Sequence, residues 1–195
     1  MTIESRMWKQ ITSSLIIIFI AANSVAQTCT NPGQTPVSAF PVCGNEAFSQ
    51  TSVPICGNLN VPVPCFDGAS YQNKNPYWYK FTCYVTGTIG FVITPTDAND
   101  DYDWQLFDAT GHNPSDVFTD ATMFVSCNWS GEGGETGSSP AGTSGVVCAG
   151  LGQPTFSSMA TIYAGHEYLL LVSHFTDGQS GYTLSFDGGT AWSAL

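Results

Sequence analysis

Basic residues are nearly missing from this chain. Of 195 residues only four are Lys or Arg, against fifteen Asp or Glu. Two of the four, Arg6 and Lys9, lie within the first ten positions. From Gln27 onward, two lysines (Lys74 and Lys80) face fourteen carboxylates, a net charge of −12. Phosphate backbones and anionic lipid surfaces are held by clustered Lys and Arg, so nucleic acid and membrane surfaces are poor partners. Catalytic signatures are also missing. The histidines number three, His112, His166 and His174. The nearest approach to a triad is Ser173, His174 and Asp177, and adjacent strand residues point to opposite faces. No Gly-x-Ser-x-Gly elbow occurs. Nothing places a second carboxylate across a cleft for glycoside hydrolysis. No Cys-x-x-Cys or close His pair offers a zinc site. No catalytic residue is assigned, and the expectation is a protein that is not an enzyme.

Long apolar runs are absent too. The run Leu15–Ala22 is far shorter than the about 20 residues a spanning helix needs. It follows Arg6 and Lys9 and precedes the small-residue site Ser24-Val25-Ala26, the pattern of a secretory signal peptide over residues 1–26. The expected location is secreted, extracellular or at the cell surface, with no membrane insertion after cleavage. Seven cysteines in such a chain imply disulfides with one cysteine over. Spacing suggests local pairs: Cys29 with Cys43, Cys56 with Cys65, and Cys127 with Cys148. Cys83 shares a strand face with Tyr79, Phe81 and Val85, which reads as a buried core position.

What the chain does have is proline, glycine and alternation. Residues 27–75 contain Pro32, Pro36, Pro41, Pro54, Pro62 and Pro64, which oppose helix and central strand pairing. This part reads as a Cys/Pro-rich N-terminal wrap, forming one domain with a sandwich over residues 76–195. Thr51–Val53 and Asn60-Val61 are candidate edge strands. Strands are expected at Tyr77–Val85, Thr88–Thr94, Asp101–Asp108, Ala121–Cys127, Met159–Tyr163, Glu167–Phe175 and Tyr182–Phe186. The continuous apolar run Tyr168–Val172 suits a strand buried on both faces. Ser130–Gly145, rich in Gly, Ser and Thr, reads as a flexible loop. Short strands, Gly-rich turns and no convincing helix predict an all-β, jelly-roll-like antiparallel β-sandwich.

The most distinctive stretch is Thr96–Asp108, which holds five of the fifteen acidic residues. Asp100, Asp101 and Asp103 have no nearby Lys or Arg in sequence, and like charges this close repel unless neutralised. Hard cations such as calcium bind such oxygen clusters. The expected ligands are Asp101 and Asp103, with Asp97, Asn99 and Asp177 completing the set. A solvated acidic turn is the alternative. The spacing is not that of an EF-hand, which needs a Gly at its sixth and a Glu at its twelfth position. Tyr102, Trp104 and Leu106 alternate inward, so Trp104 is expected in the core. Trp129, beside the glycine-rich loop, is the candidate exposed platform for stacking a sugar. Asn128-Trp129-Ser130 also matches an N-glycosylation sequon.

Three blocks carry a resemblance. They are Cys29–Pro36 with Phe40–Gly44, Asn75–Cys83 with Asp100–Asp108, and Tyr168–Asp177 with Gly181–Phe186. Together they resemble the N-terminal region of large secreted Bacteroidetes proteins that end in a gliding-motility-associated C-terminal domain and leave by type IX secretion. The last strands are similar, at the level of fold, to pre-peptidase C-terminal and CUB-type sandwiches. The resemblance implies a surface or adhesive role, with an unknown protein or glycan as partner, in a chain that is the N-terminal fragment of a larger protein. The alternative is a carbohydrate-binding module of a secreted enzyme.

Overall fold

The computed structural model describes residues 28–42 and 47–191. The expected signal peptide and Cys43 lie outside the described residues. The chain is an all-β sandwich. Its strands are β1 (Phe40–Pro41), β2 (Phe48–Ser52), β3 (Tyr77–Thr82), β4 (Gly87–Ile89), β5 (Phe91–Pro95), β6 (Tyr102–Asp108), β7 (Phe124–Ser130), β8 (Thr136–Ser139), β9 (Val146–Gly150), β10 (Phe156–Ser158), β11 (Ala160–Ile162), β12 (Glu167–His174) and β13 (Ser180–Phe186). Three single-turn 3-10 helices, Pro36–Ser38, Pro114–Phe118 and Ala121–Met123, are capped by Thr35, Asn113 and Asp120.

A six-stranded sheet runs β1-β3-β12-β6-β7-β9, a five-stranded sheet runs β10-β8-β5-β13-β2, and β11 pairs with β4. The central pairings are antiparallel, as expected. Three outer pairings are parallel: β1 with β3, β8 with β10, and β7 with β9. The sheets are therefore mixed and not wholly antiparallel. The outer strands reach their neighbours through longer crossovers, which parallel pairing requires.

Between the two sheets lies an aromatic core. Tyr79, Phe81, Tyr102, Trp104, Leu106, Tyr168, Leu170 and Val172 meet Ile89, Phe91, Ile93, Tyr182, Leu184 and Phe186. Trp104 is fully buried, with its ring 4.7 Å from that of Phe91, edge to face. The opposite face of the six-stranded sheet is covered as well. Trp78, Phe107, Cys127, Trp129, Leu169 and Leu171 pack under Ala39, Val61, Tyr71, Val117 and Met123. Burial on both faces explains why β12 is apolar at successive positions. It also decides the fate of Asp103 and Gln105, which alternate away from Trp104 and so point beneath the wrap rather than into solvent.

The wrap is woven into the sheets. Val42 N–H donates to Lys80 O at 2.8 Å, Trp78 N–H to Gly33 O at 2.7 Å, and His174 N–H to Lys74 O at 3.0 Å. Its strand β2 extends the five-stranded sheet beside β13, and Asn60 bridges to Gln72. The expected loop 130–145 contains a true strand, β8. Its residues Thr136, Gly137 and Ser138 are buried without being apolar. Ser138 Oγ donates to Ile89 O at 3.1 Å, and a Cβ at Gly137 would lie 2.1 Å from Phe91 O. The expected strand Thr88–Thr94 breaks at Gly90 into β4 and β5, which join different sheets.

The disulfides correct the local pairing scheme. Cys29 is bonded to Cys56, and Cys65 to Cys148. Cys127 is a free, buried thiol rather than the partner of Cys148. Its Sγ points toward Val147 O at 3.8 Å, and burial pushes the thiol up to about 12. The wrap lies across the sheet, so sequence neighbours such as Cys56 and Cys65 are tied to different places. Cys83 is buried, as its strand face implied. Two disulfides fit an oxidising compartment. Among the described residues no helix is long and apolar enough to cross a membrane.

Candidate ligand-binding pocket

Two carboxylates meet beneath the wrap. Asp101 sits just ahead of β6 and Asp103 is the second residue of that strand. Positions two apart on a strand share a side, and both line a cavity of about 180 Å³. Tyr71 and Lys74 of the wrap, Trp129 of β7 and Phe175 after β12 line it too. The strand register holds Asp103 opposite Ser173 of β12. Ser173 Oγ donates to the Gln72 and Lys74 carbonyls, both at 3.0 Å, which draws the wrap down over the site. Asp101 N–H donates to Thr176 Oγ1 at 2.8 Å, and Phe175 N–H to Asp101 O at 2.9 Å. The entry to β6 is thereby locked to the turn after β12.

Neither carboxylate is neutralised. Asp103 is 5% exposed, and its carboxylate makes no hydrogen bond among the described residues. Asp101 Oδ1 is buried with no partner. Burial, reinforced by Glu132, pushes the Asp101 carboxyl up to about 6. Burial, then the Asp101 charge, pushes Asp103 well above the usual carboxylate range. Lys74, the one cation lining the pocket, is engaged elsewhere. Its ammonium sits 2.9 Å from Asp177 Oδ1 and 4.9 Å above the Phe175 ring, and it also donates to Phe175 O.

The aromatic walls are held in place. Tyr71 donates to Asp67 Oδ2 and accepts from Ala149 N–H at 3.1 Å. Burial first, then its bond to Asp67, push the phenol up to about 12. Trp129 meets Tyr71 edge to face at 5.3 Å, and its Nε1–H donates to Gln105 Oε1 at 3.2 Å. Gln105 Nε2 in turn donates to Pro62 O at 2.9 Å. Trp129 is therefore not an exposed platform. It is 5% exposed, because β7 carries it under Tyr71. The sequon at Asn128 is buried as well, its amide donating to Pro154 O at 3.0 Å and Ser157 Oγ at 3.2 Å.

The structure divides the expected calcium ligands. Asp101 and Asp103 come together. Asp97 Oδ1 is instead used by Asn99, accepting from its N–H at 3.0 Å and its Nδ2 at 2.9 Å in an exposed turn. Asp177 is exposed and paired with Lys74. Among the described residues, the only group of three metal-ligating side chains within 4.8 Å is Cys65, Asp67 and Cys148, two of which form a disulfide. Asp100, between the two turns, points elsewhere. Its Oδ2 accepts from Ser180 Oγ, and its Oδ1 lies 3.5 Å from Nε2 of the fully buried His174. The sequence offered no route to Tyr71, Lys74 and Phe175. They arrive from the wrap and from the turn after β12.

Compared with known proteins, the chain matches no family model, no curated sequence and no solved structure.

Proposed function

We propose that this chain is a non-enzymatic, secreted or cell-surface β-sandwich module that binds a partner, in adhesion or ligand capture, through the Asp101/Asp103 pocket. One observation carries the reading: two carboxylates line an aromatic-walled cavity, Asp101 Oδ1 buried there without a partner and Asp103 only 5% exposed with no side-chain hydrogen bond among the described residues. Buried polar groups are ordinarily satisfied, and exceptions mark sites of function. The two carboxylates share one side of one strand, whereas a glycosidase sets its pair on opposite sides of the bond to be cut. The apolar run ahead of Ser24-Val25-Ala26 and the two disulfides support export. The resemblance to gliding-motility-associated, type IX-secreted Bacteroidetes proteins supports a surface role as part of a larger protein.

The test is retention of the purified protein on a panel of bacterial cell surfaces and extracellular matrix proteins, wild type beside Asp103→Asn. Surface binding that the substitution abolishes is expected. Equal binding by both proteins removes the pocket from the reading. A carbohydrate-binding module is the second reading, favoured by Tyr71, Trp129 and Phe175 around two hydroxyl acceptors. A glycan array separates it. Calcium held by Asp101 and Asp103 as a loop-pinning ion is a competing occupant of the same site. It would take six to eight oxygens, and melting in EGTA against millimolar calcium tests it.

A further inference from the structure

We propose that the Asp101/Asp103 pocket takes a donor-bearing organic cation, the ammonium or guanidinium end of a lysine- or arginine-like side chain, rather than a metal ion or a neutral sugar. The inference rests on the pocket reading above and names its ligand class.

Three observations point there. A carboxylate accepts hydrogen bonds and donates none, so two unpartnered carboxylates call for a ligand rich in donors and positive charge. An ammonium brings three N–H groups and a guanidinium five. Asp101 Oδ1 is buried without a partner, and Asp103, only 5% exposed, makes no side-chain hydrogen bond or ion pair among the described residues. Second, the walls are aromatic. Tyr71, Trp129 and Phe175 line the same cavity, and an organic cation gains from ring faces and from apolar contact with its alkyl stem what a calcium ion cannot use. No third acidic group completes an oxygen cage with the pair among the described residues. Third, the size fits. A volume of about 180 Å³ is close to the roughly 150 Å³ of an engineered cavity that takes up benzene. That accommodates an alkyl-ammonium or alkyl-guanidinium and is below the range of drug-sized pockets. Lys74 shows that the site's own cation is spent on Asp177, outside the pair.

The groups facing the two carboxyls are Glu132 beyond β7, Tyr71 and Lys74 from the wrap, and Cys127 behind Asp103. Tyr71 and Cys127 keep their protons and Lys74 is paired. Glu132 adds negative charge, which favours the cation further.

The experiment is calorimetric titration of the disulfide-intact protein at pH 7.5 and constant ionic strength. The probes are n-butylammonium, n-butylguanidinium, n-butanol as the neutral isostere, calcium chloride, and the blocked peptide acetyl-Gly-Lys-Gly-amide. Binding of at least one cation is expected, with n-butanol at least tenfold weaker. Asp103→Asn and Asp101→Asn should each weaken the cation at least tenfold while melting cooperatively. Affinity should also fall about tenfold between pH 7.5 and pH 5, as Asp101 takes up its proton. Peptide binding at least as tight as that of the free amines assigns the group to a protein partner; free amines alone binding assigns it to a small amine. Equal binding of n-butanol, calcium binding without amine binding, or no cation binding overturns the proposal. If that happens while Asp103→Asn still abolishes surface binding, the ligand class is wrong and the pocket stands. If Asp103→Asn leaves surface binding intact, the pocket reading has failed as well.

Discussion

At Asp103 a strand position that alternation marks as outward is carried inward by the wrap. Both carboxyls of the pair keep their protons to higher pH in the folded state than in the unfolded chain, where the ordinary value is 3.8. Groups raised in this way stabilise fully below that ordinary value, and the stabilisation is lost as pH rises through the folded value, about 6 for Asp101. His174 works in the opposite sense. Burial holds it below its ordinary 6.5, so its contribution is present above 6.5 and lost as pH falls beneath it. Stability should therefore decline on both sides of a mildly acidic optimum. Asp103→Asn should raise the melting temperature at pH 7.5 and flatten the alkaline side, read by thermal melts from pH 4 to 9. A lower melting temperature at pH 7.5 would show that the charge is satisfied in solution. Trp104 gives the counterpart. Trp104→Ala should cost about 3–5 kcal/mol of a total of about 5–15, and urea unfolding measures it. An unchanged midpoint would contradict its burial against Phe91.

Among elements, legibility followed chemistry. β12 was readable because an apolar run has one explanation when both faces are covered. β6 was readable by alternation, which placed Trp104 correctly. β8 was not, because Thr136, Gly137 and Ser138 are buried by hydrogen bonding and close backbone approach, with no hydrophobic period to betray them. Gly137→Ala should therefore act like a core mutation. Its Cβ would press on the Phe91 carbonyl and part β8 from β5. A fall in melting temperature of several degrees is expected, with each kcal/mol worth about 2–4 °C at this size. A silent Gly137→Ala would return residues 130–145 to a loop. The pocket was half legible for a similar reason. Asp101, Asp103 and Trp129 stood out by composition. Tyr71 and Lys74 belong to a polar segment whose course over the sheet has no local signal, and the same course hid the disulfide partners.

For the molecule as a whole, among the described residues one bridge staples the wrap to itself and a second, Cys65–Cys148, ties the wrap to the sandwich. The Cys29–Cys56 link spans 27 residues and the Cys65–Cys148 link spans 83. In the chain-entropy model a loop of the second length is worth about 4.5 kcal/mol. Replacing Cys65 and Cys148 by Ser should lower stability by about that amount and expose the pocket wall formed by Tyr71. Urea unfolding reads the loss, and a change under 1 kcal/mol would show that packing alone secures the wrap. Thiol counting offers a separate check. In the folded, unreduced protein Cys83 and Cys127 should stay unlabelled, and denaturation should release both, located by peptide mapping. A Cys127 that stays unlabelled after denaturation would restore a bond to it.

The long bridge also has a history within each folding event. Cys65 rides on the wrap and Cys148 on the outermost strand, β9, which joins β7 in parallel. In the native fold their sulfurs meet where the wrap lies across β6, β7 and β9, so closing this 83-residue loop costs more entropy than closing the 27-residue one and is expected to come later. During oxidative refolding, acid-trapped intermediates should hold Cys29–Cys56 before Cys65–Cys148, so the second bond works as a covalent record that the sheet was finished first.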